Sequence, residues 1–276
     1  MIDFKGLPAV RIVAPDGAEA TVLLQGAQVL SWKPAGGQER LYLSDRAIFK
    51  PGEPVRGGVP ICFPQFSRRG PLPQHGFARN LPWECITERT GEDYAMTVLR
   101  LVDDETTREA WPHAFQCELT VSITGQRLDM ELEVLNTDDE AFSFTAALHT
   151  YLGVREVEEA TLEGLRGLRY FDNVLKQEDC TETGTELVVD RELDRIYFDL
   201  QRPLLLREPR RALGINAENF ADAVVWNPWE TRTPSIADLP PDGFRRYLCV
   251  EAGAIGQAVT LTPEQSWWGR QTLVAL

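Results

Sequence analysis

The stretch FQCELTVSITGQRLDMELEV, residues 115–134, decides the fold of this chain. Apolar residues alternate with polar ones over residues 115–123, and the alternation resumes over residues 128–134. Gly125 lies between the two runs, where a turn is expected. A period of two residues on both sides of a turn predicts a β-hairpin with one core face and one solvated face.

Short strands separated by turn residues are predicted on both sides of this hairpin. They cover residues 9–14, 20–24, 27–32, 83–88, 94–102, 142–147, 187–189, 196–200, 203–206, 223–226, 246–251, 258–262 and 266–274. Helical periodicity is weak, and short helices are expected only at residues 44–49, 216–221 and 233–239. No repeat or linker divides the sequence. We therefore predict one all-β domain over residues 1–276, a sandwich of two large antiparallel sheets with a few short helices.

The composition restricts the classes of function. The formal net charge of −14 disfavours nucleic acid and anionic membranes as partners, because both bind basic surfaces. The five cysteines are scattered and contain no Cys-x-x-Cys pair, a pattern typical of reduced thiols. The first residues do not resemble a signal peptide, and no stretch approaches the length of a membrane span. We expect a cytoplasmic protein with no obligate protein partner.

One loop concentrates positive charge in this acidic chain. Residues 55–84, VRGGVPICFPQFSRRGPLPQHGFARNLPWE, contain Arg56, Arg68, Arg69 and Arg79 among prolines, glycines and aromatics. The prolines disfavour a helix, and the apolar residues are too many for a disordered segment. An ordered loop of this kind is typical of binding sites, and its arginines indicate a small anionic ligand. The alternative is a packed connection whose arginines are merely solvated.

Few residues of the chain suit catalysis. His75 lies within the arginine-rich loop, and His149 follows an alternating strand segment. Glu251, in the otherwise apolar segment YLCVEAG, is a carboxylate that is costly to bury unless it is paired or protonated. Burial would raise its pKa, which suits a general base that must also release its proton. Each of these residues, taken alone, could equally be structural.

Other chemistry finds less support in the sequence. His113, the third histidine, is most simply a structural residue before the hairpin, and Asp194 is by itself typical of a turn. The histidines lack the short spacing of a metal site, so neither a metal nor a cofactor is expected. The motifs of serine hydrolases, P-loop proteins and dinucleotide-binding proteins are missing. A histidine and a carboxylate without these elements suggest proton transfer.

Five segments together resemble a known family. RGGVPICFPQF, LPQHGFAR, HTYLGV, VVWNPW and CVEAG occur in this order between Arg56 and Gly253. In this combination they resemble the hexose-6-phosphate mutarotase (glucose-6-phosphate 1-epimerase) branch of the aldose 1-epimerase superfamily. The resemblance covers nearly the whole chain and implies the large antiparallel super-sandwich of the galactose mutarotases. It departs from the family at Ser67, Arg68 and Arg69, where relatives more often have a glycine-containing turn.

The resemblance implies roles for seven residues. His149 matches the general acid of the family and Glu251 its general base. Arg56, Gln74 and Arg79 fall where the family binds its sugar phosphate, Asp194 matches a substrate-contacting aspartate, and His75 matches a second pocket histidine that hydrogen-bonds the sugar.

The implied reaction interconverts the α and β anomers of an aldohexose 6-phosphate by ring opening and reclosure, without metal or cofactor. The sequence leaves two alternatives open. One is a non-catalytic module that binds a carbohydrate or sugar phosphate, and the other is an aldose 1-epimerase for unphosphorylated sugars. The arginines disfavour the second alternative. Acid and base are expected on opposite sides of one pocket.

Overall fold

The computed structural model describes residues 1–276 and contains three antiparallel sheets of four, eight and nine strands. The strands, in chain order, are β1 (Ile2–Phe4), β2 (Leu7–Val13), β3 (Glu19–Leu23), β4 (Gln28–Lys33), β5 (Ile61–Cys62), β6 (Glu84–Thr90), β7 (Ala95–Val102), β8 (Phe115–Thr124), β9 (Arg127–Asn136), β10 (Phe142–Leu148), β11 (Tyr151–Gly153), β12 (Thr161–Glu163), β13 (Arg169–Asp172), β14 (Gln177–Thr181), β15 (Glu186–Val188), β16 (Leu193–Tyr197), β17 (Leu204–Glu208), β18 (Arg211–Glu218), β19 (Asp222–Asn227), β20 (Tyr247–Leu261) and β21 (Ser266–Ala275). The predicted all-β class is confirmed.

Strands distant in sequence are neighbours in the two large sheets. The four-stranded sheet has the order β1-β2-β3-β4. The eight-stranded sheet has the order β14-β13-β16-β19-β20-β10-β5, with β11 paired to β20 beside this path. The nine-stranded sheet has the order β15-β12-β17-β18-β21-β9-β8-β7-β6. Long-range pairings such as β10 with β20 therefore decide which side chains meet.

The hairpin read from the sequence is confirmed as β8 and β9. Phe115 pairs with Asn136 and Thr124 pairs with Arg127, so the register runs unbroken across the turn. Along β8, buried residues alternate with half-buried ones at every position. Gly125 has a φ of +53°, a left-handed conformation that glycine adopts at little cost.

Other predicted strands need correction. β20 is one strand of 15 residues, where two strands separated by a break were expected. β16 begins and ends three residues earlier than predicted. Strands β1, β5, β11, β12, β13, β14 and β18 were not predicted at all.

Two of the three predicted helices are wrong. Residues 44–49 contain only a turn, closed by the hydrogen bond from the Ala47 amide to Ser44 O. Within residues 216–221, the first three belong to β18 and pair with β21. Residues 233–239 contain only the 3₁₀ turn Thr233–Ser235, directly after the short helix α2 (Trp229–Arg232). Helix α1 (Glu105–Ala110) was missed, although Asp104 and Thr107 form a capping box at its start.

A single apolar core joins the three sheets. One cluster of 56 buried residues includes Trp32 of β4, Leu132 of β9 and Phe144 of β10. Each such side chain contributes about 1.5–3 kcal/mol when it is fully buried. This shared core supports the prediction that residues 1–276 form a single domain. The structure has no helix that is both long and apolar enough to span a membrane.

The arginine-rich loop, residues 55–84, is fixed along the edge of the eight-stranded sheet. Before β6 begins at Glu84, it contains only β5 and the 3₁₀ turn Ala78–Asn80 as regular structure. The amides of Thr145, His149 and Tyr151 donate to the carbonyls of Pro64, Pro60 and Gly58. The loop is therefore ordered by backbone hydrogen bonds, as the sequence predicted.

Gly58 is a position where any larger residue should disturb this arrangement. Its φ is +60°, and a Cβ there would lie 2.2 Å from the carbonyl oxygen of Val29. We expect Gly58→Ala to lower the free energy of unfolding by about 2–5 kcal/mol, the sum of backbone strain and overpacking. Gly52→Ala is the matched control, because Gly52 also has a positive φ but faces open space. It should cost about 1–2 kcal/mol. Equal urea midpoints for the two variants would contradict the steric argument.

Candidate active site

The candidate site is a cavity on the outer face of the eight-stranded sheet. Alternate residues of a strand face opposite sides, and Val250 and Ala252 of β20 belong to the main core. Glu251 therefore faces away from that core, toward the arginine-rich loop. The cavity between sheet and loop has a volume of about 850 Å³, within the range of ligand pockets.

All seven predicted site residues line this one cavity. They are Arg56, Gln74, His75, Arg79, His149, Asp194 and Glu251. The loop supplies the first four, while the others come from the sheet and the end of β10. The long-range pairing of the sheet thus brings together residues almost 200 positions apart.

His149 and Glu251 are in direct contact. Leu148 pairs with Ala252 across β10 and β20, so the next residue of one strand and the preceding residue of the other are adjacent. His149 Nε2 lies 3.4 Å from Glu251 Oε1. The expectation that they lie on opposite sides of the pocket is wrong. The reason is that they extend from neighbouring strands of one sheet.

Burial favours the uncharged form of both residues. It raises the pKa of Glu251 well above its ordinary value, and the negative charge of Asp194 acts in the same direction, whereas Arg79 opposes it. Burial also lowers the pKa of His149, assisted by His75 and the nearby arginines. Burial therefore favours a neutral carboxyl beside a neutral imidazole over the corresponding ion pair. A proton relay needs two groups whose charge states interconvert in this way.

Aromatic rings enclose the His149 imidazole. The Tyr151 ring is stacked on it at 4.8 Å between centroids and 11° between planes. The Trp226 ring meets it edge-on at 5.8 Å, and the His75 ring does so at 5.5 Å. These contacts restrict the orientation of the imidazole.

His75 is held as a neutral hydrogen-bond donor. The Ser67 amide donates to His75 Nδ1 at 3.3 Å, and Cys62 Sγ lies 3.0 Å from the same nitrogen. Acceptance by Nδ1 favours the tautomer with the proton on Nε2, although the Gln74 side-chain nitrogen, itself a donor, lies 3.4 Å from that atom. Burial lowers the pKa of His75 to about 3, with Arg79 and Arg56 contributing.

The two deep arginines of the cavity, Arg56 and Arg79, differ in how many of their donors are bonded within the protein. Arg56 donates from Nε to Asp238 Oδ1 and from Nη1 to Tyr151 Oη, both at 3.1 Å. Arg79 donates from Nη2 to the Gln74 carbonyl at 2.9 Å, and its buried Nε has no partner within the protein. Gln74 therefore contributes its backbone to the wall as well as its side chain.

Further cations and one carboxylate complete the wall. Arg68, Arg69, Lys176 and Arg232 line the cavity together with the two deep arginines. The Arg69 guanidinium lies over the Phe171 ring at 5.5 Å. Asp194 Oδ1 accepts a hydrogen bond from Asn173 Nδ2 at 2.8 Å, and burial raises the Asp194 pKa. A chain with a net charge of −14 has thus gathered six cations around one cavity, an arrangement that suits an anionic ligand.

The Aldose 1-epimerase family model matches residues 8–273. The chain belongs to the aldose 1-epimerase family. It is 36% identical to the "Putative glucose-6-phosphate 1-epimerase" of Cenchrus ciliaris, over 98% of this chain and 85% of that protein. The protein of the same description from Escherichia coli K12 is 35% identical, over 90% of this chain and 83% of that one.

Solved structures agree with this family assignment. A "putative mutarotase (YeaD)" from Salmonella typhimurium superposes with a TM-score of 0.91 at 32% identity, covering 99% of this chain and 92% of that one. A galactose mutarotase-like protein from Clostridium acetobutylicum, at 16% identity, shares the fold with a TM-score of 0.81. The predicted galactose mutarotase-like sandwich and the predicted family are confirmed.

Sequence reasoning missed several residues of the wall of this aldose 1-epimerase family member. Tyr151 and Trp226 lie within HTYLGV and VVWNPW, so the motifs contained a signal for them. Asn173 and Lys176 lie in the turn between β13 and β14, two strands that were not predicted. These strands carry mostly polar residues on both faces, which leaves no alternation to detect.

The protonation state of His75 can be tested by NMR titration. In the ¹⁵N-histidine-labelled protein we expect the ring assigned to His75, identified by His75→Gln, to stay neutral with its proton on Nε2 from pH 8 to pH 5. A free imidazole titrates near 6.5, whereas His75 is shifted to about 3. The unfolded state therefore binds a proton first as the pH falls below 6.5, and stability decreases by about 1.4 kcal/mol per pH unit through this residue.

The same variant supplies the control on stability. His75→Gln should remove this share of the pH dependence between about pH 6 and pH 4 while leaving the remainder. A His75 midpoint near 6.5 in the folded protein would contradict the neutral assignment.

Proposed function

We propose that this protein interconverts the α and β anomers of an aldohexose 6-phosphate, with glucose 6-phosphate as the best-supported substrate. The observation that carries the proposal is the contact between His149 and Glu251 within a cation-lined cavity. Relatives at 35–36% identity described as glucose-6-phosphate 1-epimerases support the same substrate. The cytoplasm, where sugar phosphates occur and thiols stay reduced, is the proposed location.

The contact distance suits the chemistry of anomer exchange. Ring opening removes a proton from the C1 hydroxyl and adds one to the ring oxygen, and both oxygens are bonded to the same carbon. An acid and a base in contact with each other can therefore face the two oxygens together. In the proposed reaction Glu251 takes the hydroxyl proton while His149 protonates the ring oxygen. Rotation about the C1–C2 bond and reclosure with reversed roles gives the other anomer.

Substrate binding prepares the pair for this step. In the free protein burial favours the neutral pair, whereas the proposed ring opening needs a Glu251 carboxylate and a His149 imidazolium. A bound phosphate dianion neutralises the arginine charges that disfavour the imidazolium, which raises the pKa of His149. A C1 hydroxyl that donates to Glu251 stabilises the carboxylate. Both effects favour the charged pair only when a sugar phosphate is present.

The arginines are proposed to hold the phosphate. Arg79 has a buried Nε without a protein partner, and Arg56 retains donors beyond the two that bind Asp238 and Tyr151. His75 offers its Nε2 proton to the sugar, and Asp194 is proposed to accept from a sugar hydroxyl. The deciding experiment is NMR exchange spectroscopy of the anomers of glucose 6-phosphate with and without the protein. Equal exchange rates in the two samples would refute the proposal.

Both members of the acid–base pair are expected to be necessary. His149→Asn and Glu251→Gln should each lower kcat by about 10² or more, the usual scale of general acid–base catalysis. His113→Asn is the matched control, because His113 is only partly exposed but lies outside the cavity. If the folded His149 and Glu251 variants exchanged anomers as fast as an active parent, the assignment of these two residues as the acid–base pair would be wrong.

Phosphate selectivity separates this function from that of an epimerase for free sugars. Hydrogen bonds to charged groups are worth about 1.5–3 kcal/mol each, so Arg79→Ala should reduce kcat/KM for glucose 6-phosphate by about 10- to 100-fold. The variant should affect glucose much less. Arg191→Ala is the control, because Arg191 pairs only with its exposed neighbour Asp190. Equal kcat/KM of the parent for glucose and glucose 6-phosphate would exclude the phosphate site even if epimerase activity were found.

A further inference from the structure

We propose that Tyr151 is a positioning residue that joins the phosphate-binding arginine to the general acid. Its ring would orient the His149 imidazole, while its hydroxyl would hold the Arg56 guanidinium. The inference rests on the proposed function, since it assigns Tyr151 a part in that reaction.

The Tyr151 ring packs against the His149 imidazole. Tyr151 is 2% exposed, and its ring lies nearly parallel to the imidazole at 4.8 Å and 11°. Trp226 meets both rings edge-on, at 5.8 Å and 6.0 Å. The stack therefore fixes the imidazole plane on one side while Trp226 limits its rotation. The face of an aromatic ring also attracts a cation, so the stack favours the imidazolium that the reaction needs.

The Tyr151 hydroxyl makes a separate contact, a hydrogen bond with Arg56. Arg56 Nη1 donates to the Tyr151 hydroxyl, and Asp238 accepts from Arg56 Nε on the other side. The ion pair of Arg56 with Asp238 is largely buried: the Asp238 side chain is 14% exposed and the Arg56 side chain is 28% exposed. A guanidinium held at two of its donors keeps its remaining donors in one place for a ligand.

The two contacts use different atoms of one residue, which makes them separable. Tyr151→Phe removes the hydroxyl and keeps the ring, whereas Tyr151→Leu removes both. Tyr151 would thus position both the arginine that binds the phosphate of the ligand and the histidine that acts beside its reacting carbon. Displacement of a catalytic group by about 1 Å can cost about 10² in rate, so the ring is expected to matter for kcat.

The test compares kcat and KM for glucose 6-phosphate by NMR exchange. Tyr151→Phe should raise KM about tenfold, as one charged hydrogen bond would, and keep kcat within about twofold. Tyr151→Leu should lower kcat by about 10² and move the limb of the pH profile assigned to His149 to lower pH. Asp238→Asn should resemble Tyr151→Phe. In an Arg56→Met background, Tyr151→Phe should raise KM no further, since the two act as one unit.

Tyr247→Phe is the matched control. Tyr247 lies in the same aromatic group, 5.1 Å from Tyr151, and its buried hydroxyl has no partner. Its kinetics should equal those of the parent. The His149 Cε1 proton reports the stack independently of turnover, since its ring-current shift should persist in Tyr151→Phe and disappear in Tyr151→Leu.

The outcomes distinguish the two proposals. A parent without activity on glucose 6-phosphate would overturn the proposed function and this inference together. An active parent in which Tyr151→Phe lowers kcat without changing KM would overturn the inference alone. So would a Tyr151→Leu variant with the parent's kcat, or additive effects of Tyr151→Phe and Arg56→Met on KM.

Discussion

The structure depends on one electrostatic constraint: a carboxyl group and an imidazole are buried together without a dedicated counter-ion. Glu251 lies in a strand whose neighbours on either side fill the main core. Withdrawal from water favours its neutral form, and the same withdrawal favours neutral His149. The two groups lie 3.4 Å apart, so any charge that enters the cavity acts on the protonation of both.

The distribution of charge is as important as its total. The chain is strongly acidic overall, yet its cavity is lined by six cations. Salt screens the long-range repulsion between the protein and a phosphate beyond about 8 Å, so contacts within the cavity decide binding. Burial is the main cause that lowers the pKa of His75 and His149, and the charges of Arg79 and Arg56 add to it. The same arginines therefore make the cavity positive and favour neutral histidines.

Local sequence patterns predicted what local physics determines. The hairpin of β8 and β9 was evident because each strand has one buried face. β20 was predicted as two strands, residues 246–251 and 258–262, but Gly253 and Gly256 lie within one continuous strand, where a Cβ would meet the side chains of Ile255 and Phe198. His75, His149 and Glu251 stood out by their own chemistry and the arginines by the charge of the loop, whereas the roles of all seven residues came from the family resemblance. The structure gathers the seven in one cavity. The side-by-side placement of acid and base could not be predicted, because the pairing of β10 with β20 joins segments about a hundred residues apart.

Two parts of the fold form the cavity, and they differ in how strongly the core fixes them. The sheet supplies His149 and Glu251, whose positions are tied to the strand register and thus to the core. The loop supplies most of the cations, and Arg68 and Arg69 at its tip are exposed. Substitutions, insertions or deletions at that tip could change the shape and charge of the cavity without disturbing the register that holds His149 and Glu251 in contact. The loop can therefore vary in sequence and length during evolution while the sheet keeps the contact between His149 and Glu251.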